Sequence, residues 1–347
     1  MVKNISEPTM KTIIYIITKS EVGGAQTWVR DQTKLFKDNF KQIIITNNSG
    51  WLSEQSYANK TYFVKEIESK FSISAFFNIL KIIKAEKADI IVSSSANAGL
   101  YARLSKLFYK HHSIYVSHGW SCIYNGGRLK PIFIGIEKML SLVTDKILCV
   151  SDKDADNAKN IIGISERKIA IIRNAVFPLA LKERRSTETF RLLFVGRLVH
   201  PKRLDLLIEA IKNTSNVTLT VVGDGAHRQS YQYIDKVTFL GEIKSFSDFY
   251  QYDAFVLISD SEGLPMSAIE AASAGLPLIL SDVGGCHELI EDNGLLVNNS
   301  VTEIAKAINH LQQKYISYEE AAFNKKNEFN LNSSKDLYFK LYNDSVD

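Results

Sequence analysis

The sequence predicts two doubly wound α/β domains, and three observations lead to that expectation. Short β-rich apolar runs alternate with longer amphipathic runs along the chain, the pattern of βα units that feed parallel sheets. The series begins afresh near Phe190, after a charge-rich stretch without periodicity. At 347 residues the chain is long for one core and comfortable for two.

In the first half the apolar runs predict strands near 12–18, 42–46, 61–64, 89–93, 113–117, 146–150 and 168–172, with helices near 24–37, 72–86, 97–110, 129–143 and 152–162. The second series predicts strands near 191–195, 217–222, 237–240, 254–258 and 277–280. Its helices fall near 202–213, 246–250, 265–274, 286–291 and 301–314. The expected domains are therefore 1–177 and 190–330, joined by a Pro-containing, charged linker at 178–189. Residues 331–347 are expected to form a last amphipathic helix that packs back on the first domain. Residues 1–10 are polar and look like a loose leader, so either Met1 or Met10 could be the start.

Composition excludes several classes. The net charge of +4 gives no strong global field for nucleic acid. Cys122, Cys149 and Cys286 are far apart and odd in number, which argues against a disulfide framework or a zinc site and for a reducing, cytoplasmic compartment. The seven histidines show no metal spacing. No apolar run approaches the ~18 residues of a spanning helix, and 11–18 is short for a signal-peptide core with no cleavage site after it.

Ligands of doubly wound sheets bind at the carboxyl ends of strands, and the motifs fall there. The sharpest runs from Ser259 to Gly285, SDSEGLPMSAIEAASAGLPLILSDVGG. Pro265 suits a helix's first turn, and Gly275 with Pro277 marks its end. Glu262 then lies in the loop entering the helix and Glu270 about five residues inside it, ~7 Å along the axis. The free N–H groups of that helix start suit a diphosphate, and the two carboxylates suit sugar and ribose hydroxyls. The plainer alternative makes Glu262 a dipole-favoured residue and Glu270 a solvated one.

A second motif, FVGRLVHPKRLDLLI, places Arg197 after a strand and Lys202 at a helix start. A cation there opposes the helix dipole, so a bound anion would explain it; two solvated basic residues is the alternative. Gly23-Gly24 after the first strand allows close backbone approach to a phosphate, or is a plain turn; it is neither GxGxxG nor a P-loop. His118-Gly119 ends a strand, where an imidazole could face a sugar or serve only structure. Gly223 and Gly241 end strands whose backbones could approach a donor or base. Asp152, Asp154 and Asp156 look like a metal-binding DxD, but Ser151 reads as an N-cap and acids belong in a helix's first turn.

Together these motifs resemble the GT-B family of retaining glycosyltransferases, family 4, from about Lys11 to Leu296 and most specifically over 190–297. The spacing of Glu262 and Glu270 matches that family's E-x7-E motif. The resemblance implies two Rossmann-like domains facing across a cleft, with acceptor in the first and nucleotide-sugar donor in the second. It implies that Arg197 and Lys202 grip the donor phosphates and that Glu262, with the N–H groups of Gly263 and Leu264, holds the donor sugar. Glu270 would hold the ribose, His118 would sit beside the sugar, and Gly23, Gly24, Gly196, Gly223, Gly241 and Pro265 would line the donor. Asn174-Ala175 departs from a common Asn-Gly, and Cys286-His287 stands where Pro or a small residue is frequent.

The implied reaction moves a hexose or N-acetylhexosamine with retention from a UDP-sugar, or less readily a GDP-sugar, to a hydroxyl, with no obligatory metal or other cofactor. The basic, apolar helical stretches 71–87, 101–112 and 128–138 suggest a peripheral enzyme on the inner face of the cytoplasmic membrane, whose acceptor is a polyprenyl-diphosphate-linked glycan. O-antigen, capsule or exopolysaccharide assembly is the expected setting. The rival readings are a nucleotide-sugar epimerase on the same fold and a non-catalytic nucleotide-sugar-binding protein.

Overall fold

A computed structural model describes residues 10–68, 71–124, 127–182, 189–226, 228 and 234–344. The expected leader, apart from Met10, and residues 183–188 of the expected linker lie outside the described residues. The chain forms two compact units. The first comprises 1–150, 154–172 and 335–347; the second comprises 151–153 and 173–334. The expected boundary after 177 thus lies inside the second unit.

The first unit carries a seven-stranded sheet built from β1 (Thr12–Ile17), β2 (Lys41–Thr46), β3 (Lys60–Phe63), β4 (Ile90–Ser94), β5 (His112–Ser117), β6 (Lys146–Cys149) and β7 (Ile169–Ile171), in the order β3-β2-β1-β4-β5-β6-β7. Every pairing is parallel. The helices are α1 (Gly24–Leu35), α2 (Trp51–Gln55), α3 (Ile73–Ala85), α4 (Ala96–Ser105), α5 (Ser121–Tyr124), α6 (Lys130–Leu142) and α7 (Asp152–Asn157). β1 is buried throughout, as a central parallel strand must be when both faces are covered. Its alternation sorts the layers: Ile14 and Ile16 join the core formed with α3 and α4.

The second sheet contains β8 (Phe190–Val195), β9 (Val217–Val222), β10 (Val237–Gly241), β11 (Ala254–Leu257), β12 (Leu278–Ser281) and β13 (Gly294–Val297), ordered β10-β9-β8-β11-β12-β13 and again parallel. Its helices are α8 (Leu204–Lys212), α9 (Met266–Ser273), α10 (Val301–Gln313) and α11 (Tyr315–Lys325). The last helix, α12 (Lys335–Asn343), belongs to the first unit. Its Tyr338 hydroxyl accepts from Trp28 Nε1 at 3.2 Å, and Tyr342 donates to Gln32 at 2.8 Å. Leu331, just before it, stays with the second unit through its N–H to the Val176 carbonyl.

Several elements differ from expectation. The helix expected over 152–162 is α-helical only to Asn157 and continues as a π-turn to Ile162. That expected over 97–110 stops at Ser105. The segments near 246–250 and 286–291 are single 3₁₀ turns, too short to establish an i→i+4 ladder. β13, α2, α5 and α11 are not among the expected elements. α11 buries little beyond Ala322, so it carries no strong periodic signal.

Candidate active site

In the second sheet the chain leaves β8 towards β9 on one side and reaches β11 on the other, so the crevice at their carboxyl ends is the topological switch point where such sheets bind ligands. The two loops there are stitched together. Lys202 and Ser259 form an antiparallel bridge, Arg203 N–H donates to the Ile258 carbonyl at 2.8 Å, and Asp260 N–H donates to Pro201 at 2.8 Å. This stitching brings the two sequence motifs together: Lys202 Nζ pairs with Glu262 Oε1. The side chains are only 17% and 12% exposed, so the pair is largely shielded from solvent competition.

Two glycines let the backbones close around this pair. Gly223 has φ +140, and a Cβ there would lie 1.9 Å from the Gly196 carbonyl oxygen. Gly284 has φ +55, and its Cβ would lie 1.8 Å from the Glu262 carbonyl oxygen. Gly196 N–H donates to Val222 O, Gly223 N–H to Gly241 O, and Gly285 N–H to Gly263 O. The expected donor residues Gly196, Gly223, Gly241, Lys202, Glu262 and Gly263 are therefore contiguous along one sheet edge.

Leu264 and Pro265 are buried and lead into α9, for which Pro265 is the N-cap. Glu270 is the fifth residue of that helix and is half-buried. Arg197 follows β8 directly, with its side chain exposed. Sequence reasoning missed the groups that hold the Glu262 loop. Ser259 N–H donates to Ser281 Oγ, Ser281 Oγ donates to Asn299 Oδ1 at 2.6 Å, and Asn299 Nδ2 returns to the Ser259 carbonyl and to Asp260. Asn174 Nδ2 reaches the Leu264 carbonyl at 3.4 Å, so this position touches the loop that carries Glu262. Cys286 is buried, and burial together with Glu262 pushes its thiol up to about 12; it is an inert packing residue here.

The first unit places its candidates on its own carboxyl edge. Gly23 opens α1, and Gln26 folds back so that a Cβ on Gly23 would meet its side-chain oxygen at 2.6 Å. Gly24 is the first helical residue. His118 follows β5, with Nε2 3.4 Å from Ser94 Oγ and its ring edge-on to Trp28 at 5.5 Å. Burial pushes the imidazole down to about 4, so at neutral pH it is uncharged and able to donate or accept.

The aspartates of the DxD look-alike do not converge. Asp152 pairs with Arg173, Asp154 is buried and Asp156 is exposed, while Glu288 accepts the N–H groups of Asp152 and Lys153 at 2.9 Å each. These are the contacts of a helix start. Among the described residues no group of three His, Cys, Asp or Glu side chains is arranged to hold a metal ion.

Comparison with known proteins agrees with this geometry. Residues 189–314 match the family described as Glycosyl transferases group 1, and 22–178 match Glycosyltransferase Family 4. The chain is 43% identical to the O-antigen biosynthesis glycosyltransferase WbnH of Escherichia coli, over 95% of this chain and 98% of that one. It is 24% identical to the E. coli UDP-Gal:alpha-D-GlcNAc-diphosphoundecaprenol alpha-1,3-galactosyltransferase, over 79% and 80% of the two chains. Among solved structures, Anabaena HepE in complex with UDP and glucose superimposes with a TM-score of 0.82 at 17% identity, over 97% of this chain and 100% of that one. With its two parallel-sheet units and its Lys202–Glu262 pair at a switch point, the chain belongs to the family 4, group 1 glycosyltransferases and is a glycosyltransferase of GT-B fold.

Proposed function

We propose that the enzyme transfers a hexose or N-acetylhexosamine from a UDP-sugar, with retention, to a hydroxyl of a polyprenyl-diphosphate-linked glycan in the assembly of an O-antigen or related surface polysaccharide. The observation that carries this reading is the Lys202–Glu262 pair at the switch point, framed by glycine backbones. An ammonium group has three N–H donors, so Lys202 can keep Glu262 and still donate to a phosphate oxygen. Negative charge grows on the departing diphosphate in an oxocarbenium-like transition state, and Lys202, Arg197 and the start of α9 are the groups assigned to meet it. Glu262 and the N–H groups of Gly263 and Leu264 take the sugar hydroxyls, and Glu270 takes the ribose. The resemblance assigns Gly23 and Gly24 to a phosphate and His118 to a sugar. No residue is assigned as a nucleophile and no metal is invoked; the departing phosphate takes the acceptor proton.

The acceptor class rests on two relatives, one an O-antigen biosynthesis enzyme and one named for a diphosphoundecaprenol-linked sugar. The setting is peripheral, on the cytoplasmic face of the membrane; among the described residues no helix is long and apolar enough to cross it.

A thermal-shift panel of UDP- and GDP-sugars tests the donor. A ligand at ~100 times its Kd stabilises the folded state by about 2.7 kcal/mol, so the matching donor stands out. Transfer to undecaprenyl-diphosphate-linked N-acetylhexosamine should then fall at least about 100-fold in Lys202→Ala and Glu262→Ala, measured at a temperature where circular dichroism shows both variants folded, since stranding one charge of a shielded pair lowers their melting. Transfer that survives both substitutions refutes the assignment, and stabilisation by GDP-sugars alone refutes the donor.

A further inference from the structure

We propose that Trp28 is a positioning residue for sugar transfer: held by Tyr338 of the last helix, α12, its indole fixes the orientation of the His118 imidazole. The inference rests on the reading above that places His118 beside the sugar, and it adds the groups that aim the ring. Trp28, His118 and Tyr338 all belong to the first unit.

An imidazole is not aimed by its own backbone. Rotation about its Cβ–Cγ bond is soft, because a torsion between an sp³ and an sp² carbon has broad wells. His118 Nε2 lies 3.4 Å from Ser94 Oγ, a long contact that restrains the ring only weakly. Packing has to supply the rest. The indole of Trp28 stands edge-on to the imidazole, with ring centres 5.5 Å apart and planes at 71°, a favoured arrangement of two aromatic rings. It covers the imidazole as well as aiming it, and burial pushes His118 down to about 4.

Trp28 can serve as a stop only if it is itself fixed, and α12 fixes it. The indole Nε1–H donates to the Tyr338 hydroxyl at 3.2 Å, and the two rings also pack edge-on, 6.1 Å between centres. Trp28 and Tyr338 are 1% and 0% exposed, so water does not compete for that hydrogen bond. α12 is fastened at three further points. Tyr342 donates to Gln32 of α1 at 2.8 Å, the Leu341 carbonyl lies 3.2 Å from His112 Nε2, and Asn343 Oδ1 accepts from Lys11 at 2.9 Å. Packing alone does not require this arrangement. Apolar side chains of similar size would fill the space without burying an N–H that needs a partner. An indole held at its nitrogen presents a fixed edge to whatever rests on it.

The test combines steady-state transfer with NMR of ring-labelled histidine in the full chain. The variants are Trp28→Leu, Tyr338→Phe, His118→Ala and Trp28→Leu/His118→Ala, each measured where circular dichroism shows it folded. In Trp28→Leu kcat should fall at least about tenfold while UDP binding stays as in wild type. Tyr338→Phe removes only the oxygen that accepts the indole N–H, so it should lose less, and it keeps the test open should Trp28→Leu not fold. In the His118→Ala background Trp28→Leu should cost nothing further, whereas a merely structural residue gives the same loss in both backgrounds. The His118 ring resonance should titrate nearer the ordinary 6.5 in Trp28→Leu than in wild type. Equal losses in the two backgrounds, wild-type kcat in Trp28→Leu, or an unchanged His118 titration would overturn the proposal. Wild-type transfer in His118→Ala refutes the place of His118 beside the sugar instead, and the ring resonance then decides on its own whether Trp28 holds the imidazole.

Discussion

Replacing Gly284 by alanine tests whether the backbone around Glu262 is set by steric fit. Two costs apply. At φ +55 an L-residue is in the left-handed region, which costs roughly 1–2 kcal/mol. The new Cβ would also lie 1.8 Å from the Glu262 carbonyl oxygen and 2.8 Å from its carbon, so one of the two backbones must retreat by more than roughly 1 Å to reach ordinary contact. Gly275→Ala isolates the first cost. Its φ is +79, it ends α9, and its nearest neighbour across a new Cβ is Phe323 at 3.8 Å, an ordinary contact. Both variants should therefore lose ~1–2 kcal/mol of stability in urea from conformation alone, and Gly284→Ala should lose more. Only Gly284→Ala should displace Glu262. A misplacement of ~1 Å in a catalytic group costs on the order of 100-fold in rate, so transfer should drop by about that factor in Gly284→Ala and by less than about threefold in Gly275→Ala. Measured initial rates with saturating UDP-sugar, alongside urea melts, decide it. Equal activity in the two variants would refute the claim that the Glu262 loop is held by this contact.

Two further outcomes follow from charges. Glu262→Gln removes the carboxylate that shares Lys202 with the incoming phosphates, so UDP should bind severalfold more tightly while transfer falls; calorimetric titration showing weaker UDP binding would contradict the pairing. Burial pushes His111 and His118 down to about 4 and lowers His112 as well, against 6.5 for a free imidazole. The unfolded chain therefore binds more protons between about pH 4 and 6.5, and stability should be full above that window and decline as pH falls through it. Urea melts at pH 7 and 4.5 should show the decline, and it should be smaller in His111→Phe; a flat profile would count against the buried, neutral imidazoles.

Much of the fold was legible because β1, β2 and β4 are Ile-rich and buried on both faces, so their apolar runs stand out from the amphipathic helices around them. The same logic failed where an element is a single 3₁₀ turn, too short to show a helical period, as at 248–251 and 286–289. In the site, the sequence marked Lys202 and Glu262 separately, each by its place beside a strand end and a proline. What it could not show is that they touch, because β9 and β10 intervene in the chain while β8 and β11 are neighbours in the sheet. Asn299 and Glu288 carry no local signal at all. Each acts through long-range contacts: Asn299 with Ser281, Ser259 and Asp260, and Glu288 with the N–H groups of Asp152 and Lys153.

The Lys202–Glu262 pair also resolves a puzzle in the sequence. A lysine just ahead of α8 opposes the helix dipole, and an anion is needed to offset it. In the structure that anion is Glu262, brought over by the bridge between Lys202 and Ser259. The carboxylate holds the ammonium group in place at a largely shielded site, so under the proposed assignment little reorganisation would remain when a diphosphate arrives. On the same assignment it would keep Lys202 partly neutralised and so limit how tightly the product nucleotide is gripped. A stronger cation would hold the leaving diphosphate better in the transition state and would also hold it longer afterwards. On this view the carboxylate trades affinity for the product against preorganisation for the reaction, and Lys202 without Glu262 would serve only one of the two.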